Sequence, residues 1–496
     1  MKLEELIAAV IHKKERVYFI GIKGTGMCAL AELLHQAGAR ISGSDTAETF
    51  YTCEILDELH IPYFEGFDAA HITRESALVI HSAAYTDANP EVAAARKFGI
   101  PLVKYTDALG AYSALFDSSG IAGVHGKTTT TAIAGTLLAA AKLPAQTLAG
   151  SAVKDFGGRS TINAGNKYFV AETCEYRRHF LSFHPRRVLL TSVESDHQDY
   201  YPDYPSILAA FIEYGERIAP GGELIYCADD AGARETASVL KERRSDISYT
   251  PYGFNAKGDF RITRYETREG AATFELVGIA QQWTLHIPGR HTALNSAGAL
   301  ALVRAIARAE GRPLEPMLGE LSRALAAFSG SKRRTEIIGE AGGILFMDDY
   351  AHHPTAIKTT LAGLREFYPR RRLVVSFMPH TYSRTAALLA DFAAAFEDAD
   401  IVFLHKIYGS ARELYDGGVT GATLFEQTKA RQGGVFYAAE PLDALDQLKA
   451  TLRSGDIFIT LGAGDNWRLS AALFNEYSSE KGGRWRVEKH DRFRIR

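Results

Sequence analysis

Short apolar runs alternate with helix-length amphipathic stretches along most of the chain, the pattern of strands buried on both faces and separated by covering helices. Residues 17 to 22 (Val-Tyr-Phe-Ile-Gly-Ile) read as the first strand, followed by a helix over Met27 to Gln36. Ala77 to His81, a helix over Glu91 to Phe98, and Pro101 to Val103 continue the alternation to about Tyr112. A second block opens at Ile121-Ala-Gly123, passes into the helix-prone Ala132 to Ala141, and carries strands at 168 to 171, 187 to 192 and 223 to 227. From Asp259 to His286 the texture changes to strict alternation (Phe260, Ile262, Phe274, Leu276, Trp283, Leu285), which predicts a small antiparallel insertion before a helix over Asn295 to Ala309. Apolar runs at 344 to 347, 373 to 377, 401 to 404 and 457 to 461, each followed by a helical segment, form a third block.

Strands separated by single helices predict an α/β protein with parallel, doubly wound sheets. A length of 496 residues suggests about three domains. Their expected limits are 1–112, 113–327 and 328–480, with Phe328-Ser-Gly-Ser-Lys332 as the second connector and a basic tail at 481–496 that is expected to fray.

Composition narrows the function classes. Lysine and arginine total 56 against 59 acidic residues, a net charge of −3, which provides no global basic field for nucleic acid or an anionic membrane. No apolar stretch approaches a membrane span, and the six apolar residues from Leu6 to Ile11 are too few for a signal peptide. Cys28, Cys53, Cys174 and Cys227 lack metal-ligand or disulfide-framework spacing. A cytoplasmic protein without membrane or nucleic-acid partners is expected.

Candidate chemistry centres on Gly123-Val-His-Gly-Lys-Thr-Thr-Thr-Thr131, a glycine turn between a strand and a helix. Such a turn aims backbone N–H groups and a helix N-terminus at one point, Lys127 reaches for a terminal phosphate, and the Thr128 hydroxyl is placed for Mg²⁺. Ile121 stands where the strict phosphate-loop pattern has its first glycine. Gly24, Gly26 and Ala29 match a dinucleotide-type turn in a Rossmann-like first domain, and Asp45 follows 21 residues after Gly24. Glu172 and Glu194-Ser-Asp-His197 follow predicted strands, where open parallel sheets bind ligands. His291 and Asn295 fall one helical turn apart.

The ordered set formed by the 123–131 turn, Val193-Glu-Ser-Asp-His197, Gly289-Arg-His-Thr-Ala-Leu-Asn295, Lys332-Arg-Arg-Thr-Glu336 and Asp348-Asp-Tyr-Ala-His-His-Pro-Thr355 resembles the Mur ligases. These are ATP-dependent amide-bond formers of peptidoglycan precursor synthesis. The resemblance covers all but the tail. Phe19 to Met27 with Ser42-Gly-Ser-Asp45, the His352-His353 pair and Pro379-His-Thr-Tyr-Ser-Arg384 are similar to alanine-adding members of the family.

The resemblance implies that ATP phosphorylates a carboxylate and an amine displaces the acyl phosphate, with UDP-N-acetylmuramate, ATP and L-alanine as reactants and Mg²⁺ as the ion. It implies ATP binding by Gly123, His125, Gly126, Lys127, Thr128, Thr129, His291, Asn295, Arg334 and Asp349, and metal binding by Thr128, Glu172 and His197. The UDP-sugar falls to Gly21, Gly24, Gly26, Met27, Ser44 and Asp45, and the amino acid to His352, His380 and Arg384. Lys127, Glu172, His197, His352 and Arg384 are the implied catalytic set, in a monomer or weak homodimer. Closure of separate domains on the reactants is expected to exclude water from the acyl phosphate.

Three departures stand out: Glu172-Thr-Cys-Glu-Tyr-Arg-Arg178 replaces a more acidic stretch, Lys23 replaces a frequent glycine near the expected UDP pyrophosphate, and no lysine occurs over 207–213. Arg177 is a further candidate for substrate contact. A ligase that adds a whole tripeptide to the same UDP-sugar is the nearest alternative. A nicotinamide dehydrogenase would leave the Lys127 turn without a role, and a non-catalytic nucleotide-binding regulator would need only that turn.

Overall fold

The computed structural model describes residues 2–409, 413 and 417–480, so the expected tail at 481–496 lies outside the described residues. Three sheets carry the chain, each flanked by helices. The first has five parallel strands in the order Tyr63–Glu65, Arg40–Asp45, Arg16–Ile20, Ser76–His81, Leu102–Lys104. Its order reverses beside Arg16–Ile20, and the Gly24–Gly26 turn emerges there, at the crevice where such sheets bind ligands. Val17, Phe19 and Ile20 are fully buried, as a strand covered on both faces requires.

The central sheet has ten strands. The strand that feeds the phosphate loop, Asp117–Ala122, lies between Arg187–Leu190 on one side and Tyr168–Glu172 on the other, all parallel. That adjacency delivers Glu172 and the segment 193–197 to the two flanks of the loop. The predicted insertion is an antiparallel meander of Phe260–Arg268, Ala271–Leu276 and Ile279–Leu285, with Phe274 and Trp283 buried between its strands. The third sheet runs Glu336–Ala341, Ile344–Asp349, Asp456–Leu461, Arg372–Phe377, Ile401–Leu404, Val435–Tyr437, antiparallel only at the first pair.

Local expectations differ from the structure at several places. The helix after the phosphate loop begins at Lys127, not Ala132, and extends to Ala140. Its β-branched threonines are poor helix formers, but Thr130 and Thr131 are fully buried against the Arg290–Ala309 helix, and packing overrides propensity. That second helix begins five residues before Asn295, with Gly289 as its N-cap. Strands at Ala145–Leu148, Thr161–Asn163, Ser248–Gly253, Glu336–Ala341 and Val435–Tyr437 escape the apolar pattern. Ser248–Gly253 contains Pro251, tolerated because its neighbour Phe260–Arg268 pairs only with Tyr252 and Gly253.

The units are joined by polar contacts, buried or half-buried between the first two and exposed at the entry to the third. Glu32 of the first accepts from Arg159 Nη1 at 2.5 Å and Thr161 Oγ1 at 2.5 Å of the second. Ser329 donates through its backbone N–H to Asp155 at 3.0 Å ahead of the third. No helix among the described residues is long and apolar enough to cross a membrane.

Candidate active site

The loop is shaped by its glycines and by Ser192. Gly126 has φ +79°, and a Cβ there would lie 2.8 Å from Asn295 Oδ1, so both backbone and space demand glycine. Ser192 Oγ accepts from His125 N at 2.9 Å, and the Ser192 carbonyl accepts from Val124 N at 3.0 Å. No side chain caps the helix that follows, leaving the N–H groups of its first turn directed outward at its positive end. The Thr129 hydroxyl makes no hydrogen bond among the described residues.

Lys127 Nζ donates to the Gly123 carbonyl and, at 2.8 Å, to Glu175 Oε2. Burial works against the ammonium, but Glu175 and the neighbouring acidic groups outweigh it and raise its pKa above the usual lysine value. Glu175 is 2% exposed and its other oxygen lies 3.4 Å from His197 Nε2. Burial penalises its carboxylate, yet Lys127 and His197 together hold its pKa below the ordinary range. Glu172 is a separate carboxylate, accepting from Thr128 Oγ1 at 2.8 Å and Gly150 N at 2.8 Å.

A Mg²⁺ ion suits the Thr128–Glu172 pair: two hard oxygens converge at the N-terminal turn of the loop helix. The third predicted ligand, His197, has turned to Glu175 and Asp196.

The third unit reaches this centre through Arg384, 5% exposed. Its Nε and Nη2 donate to Asp196 Oδ1 at 2.9 and 2.7 Å, while Nη1 donates to the His380 carbonyl at 2.6 Å and lies 3.3 Å from His380 Nδ1. Burial would raise the Asp196 pKa; Arg384 reverses this and drives it far below the carboxylate range. His352 Nδ1 lies 2.8 Å from the Tyr350 carbonyl, which can only accept, so the proton sits on Nδ1 and Nε2 keeps its lone pair. Burial, then the charge on Arg384, pushes the His352 pKa well below its usual value and keeps the ring neutral.

Asp349 and Arg334 occupy different situations. Asp349 is filled by Thr335 N at 2.6 Å, Thr335 Oγ1 at 2.9 Å and Ala351 N at 2.7 Å, which shape the 332–336 segment. Arg334 stacks its guanidinium 5.0 Å from the Tyr350 ring and has no carboxylate partner among the described residues. Its neighbour Arg333 is tied to Asp348 at 2.9 Å. His291 is half-buried at the start of its helix, with a buried Nδ1 that has no partner among the described residues; desolvation lowers its pKa.

Residues expected to meet the UDP-sugar divide into two groups. Gly24, Gly26 and Met27 line a cavity of about 370 Å³ that also reaches Glu172, Cys174 and His179. A Cβ on Gly26 would lie 2.7 Å from Tyr105 Oη on the cavity wall. Gly21 instead sits beneath the Tyr85 ring, and Ser44 is fully buried with its hydroxyl donated to Glu91. Asp45 accepts from Lys23 N at 2.7 Å and Thr46 N at 2.8 Å, bracing the turn. Lys23 points away from the turn: its buried ammonium donates to the Thr46 and Glu48 carbonyls and to Glu65. Arg177 is exposed, with its guanidinium 5.3 Å from the Tyr176 ring.

Sequence reasoning missed Glu175, Asp196 as the Arg384 partner, Tyr105 and His179. Only the unusual 172–178 stretch signalled any of them, by placing a second glutamate three residues after Glu172, just past the strand end.

Three family models match consecutive parts of the chain: Mur ligase family, catalytic domain, at 16–117; Mur ligase middle domain at 121–303; and Mur ligase, glutamate ligase domain, at 333–464. The chain is 50% identical over 467 residues to UDP-N-acetylmuramate–L-alanine ligase of Treponema pallidum (strain Nichols), covering 94% of this chain and 97% of that protein. It is 36% identical to the Borreliella burgdorferi ligase of the same name, covering 91% and 97%. Among solved structures it is similar to UDP-N-acetylmuramate–alanine ligase of Thermotoga maritima, with a TM-score of 0.74 at 25% identity, covering 94% and 100%. The fold alone is shared with a murein peptide ligase of Psychrobacter arcticus, with a TM-score of 0.64 at 22% identity, covering 93% and 98%.

Proposed function

Because the chain belongs to the Mur ligase family, we propose that it joins L-alanine to the carboxylate of UDP-N-acetylmuramate at the expense of ATP, in cytoplasmic peptidoglycan precursor synthesis. The observation that carries this reading is the cavity running from the Gly24–Met27 turn to Glu172. A nucleotide-sugar anchored at the first sheet thereby directs its acid toward the phosphate loop.

In this reading the outward N–H groups of the loop, the Thr129 hydroxyl and Arg334 receive the ATP phosphates, with Asn295 and His291 bordering the nucleoside. Asp349 serves by holding the Arg334 segment in place. Lys127 leaves Glu175 to neutralise the transferring phosphoryl group, since such transfer depends mostly on positioning and charge. Thr128 and Glu172 would hold Mg²⁺, which supplies positive charge to the phosphates; His197 stands nearby on Glu175 as a reserve ligand. Arg384 takes the alanine carboxylate by giving up its Nη1 contacts with His380 while Asp196 keeps Nε and Nη2. His352 Nε2, neutral and bare, accepts the proton that the amine releases as it attacks. One chain supplies every one of these groups, consistent with a monomer or weak homodimer.

Phosphate release from ATP, Mg²⁺ and UDP-N-acetylmuramate, measured with alanine, serine, glycine and a tripeptide in turn, tests the proposal. Alanine is expected to give the highest kcat/KM. Turnover with the tripeptide but not alanine would place the chain with the recycling ligases instead.

A further inference from the structure

His125, Glu194 and His353 meet where the phosphate loop faces the third unit, and the ligase chemistry above gives them no joint role. His125 Nε2 lies 2.6 Å and His353 Nδ1 3.1 Å from the same oxygen, Glu194 Oε1. One ligand atom from each residue falls within 4.8 Å of the other two. The imidazole rings are 5.1 Å apart. Thr355 Oγ1 steadies the second carboxylate oxygen at 3.3 Å.

The hydrogen bonding of His353 is incomplete. The side chain is 7% exposed, and Nε2 has no partner. Nδ1 faces both the Glu194 carboxylate and, at 3.4 Å, the Thr355 N–H that it caps. At 3.1 Å an Nδ1–H can donate to Glu194, while the Thr355 contact at 3.4 Å is longer than an ordinary hydrogen bond, so a cation here would take the place of the proton between the ring and the carboxylate. Two imidazoles and one carboxylate are the donor set of three-ligand zinc sites, whereas Mg²⁺ prefers oxygen.

We propose that His125, Glu194 and His353 bind a zinc ion, at a position distinct from the Thr128–Glu172 pair. The ion ties the phosphate loop, through His125, to the Pro354–Phe367 helix of the third unit, through its N-cap His353. Zinc therefore holds these two units together and opposes the opening that releases product.

The test is equilibrium dialysis of the full chain against buffered Zn²⁺ in excess Mg²⁺, with bound metal counted by mass spectrometry. One zinc per chain is expected, weakened at least about tenfold by either His353→Gln or Glu194→Gln and unchanged by Glu172→Gln. No zinc retained by the wild type, zinc retained equally by both of the first two variants, or zinc lost from Glu172→Gln would each overturn the assignment. X-ray absorption at the zinc edge of the wild type keeps the test decisive should a variant misfold. Imidazole scattering in a nitrogen and oxygen shell is expected, and a shell of oxygen alone or containing sulfur contradicts the site.

Discussion

Lys127 is bound to two kinds of consequence at once, and a paired substitution separates them. Its ammonium and the Glu175 carboxylate stand 2.8 Å apart with side chains 13% and 2% exposed, so neither charge has water to fall back on. Lys127→Ala leaves Glu175, among the described residues, with only His197 at 3.4 Å as a charge partner. Stranding one member of a buried ion pair costs about 3–5 kcal/mol. At about 2–4 °C per kcal/mol for a unit of about 200 residues, the unfolding midpoint of the central unit falls by roughly 6–20 °C. Adding Glu175→Gln removes the stranded charge, and most of that loss is expected to return. Turnover is not expected to return, because a preorganised donor to developing charge contributes on the order of 10²–10³ in rate. Scanning calorimetry and phosphate release on the wild type, both single variants and the double variant give the full cycle. A Lys127→Ala protein that melts with the wild type would refute the energetic argument. A double variant that regains wild-type turnover would refute the catalytic one.

Other consequences are simpler. Arg384→Ala is expected to raise the KM for alanine by about 10–100-fold, the worth of a charged hydrogen bond, with a smaller change in the KM for ATP; equal KM values in variant and wild type would remove Arg384 from the amino-acid site. Gly126→Ala forces a Cβ against Asn295 at φ +79°, and is expected to abolish ATP binding in a calorimetric titration while the first-unit site still takes UDP-sugar. His352 stays neutral below the ordinary histidine pKa of about 6.5, so kcat/KM is not expected to fall with a His352 titration as pH drops through that value. The linked stability has a definite sign: the unfolded chain takes up the proton first, so the contribution of His352 declines as pH falls below about 6.5. His352→Asn is expected to lessen that decline in pH-dependent melts, and an unchanged slope would show that another group is responsible.

Apolar periodicity and glycine-rich turns are local properties, and what depends on them was legible in the chain: the α/β class, the antiparallel meander over 260–285, the phosphate loop and the turn at Gly24. Family motifs named further residues without saying where their side chains point. Sheet order decided that Glu172 and the 193–197 segment flank the loop, because periodicity marks a strand but does not say which strand lies beside it. Charge pairing was equally hidden. Arg384 and Asp196 are 188 positions apart, and only the packing of the third unit on the second brings them together. Lys127 was identified from the sequence, but its partner Glu175 was not. Ser44 and Lys23 looked available to a ligand, yet tertiary contacts turn the first toward Glu91 and the second toward Thr46, Glu48 and Glu65. A buried polar atom must find a partner wherever the fold supplies one, so side-chain direction is decided by neighbours distant in sequence.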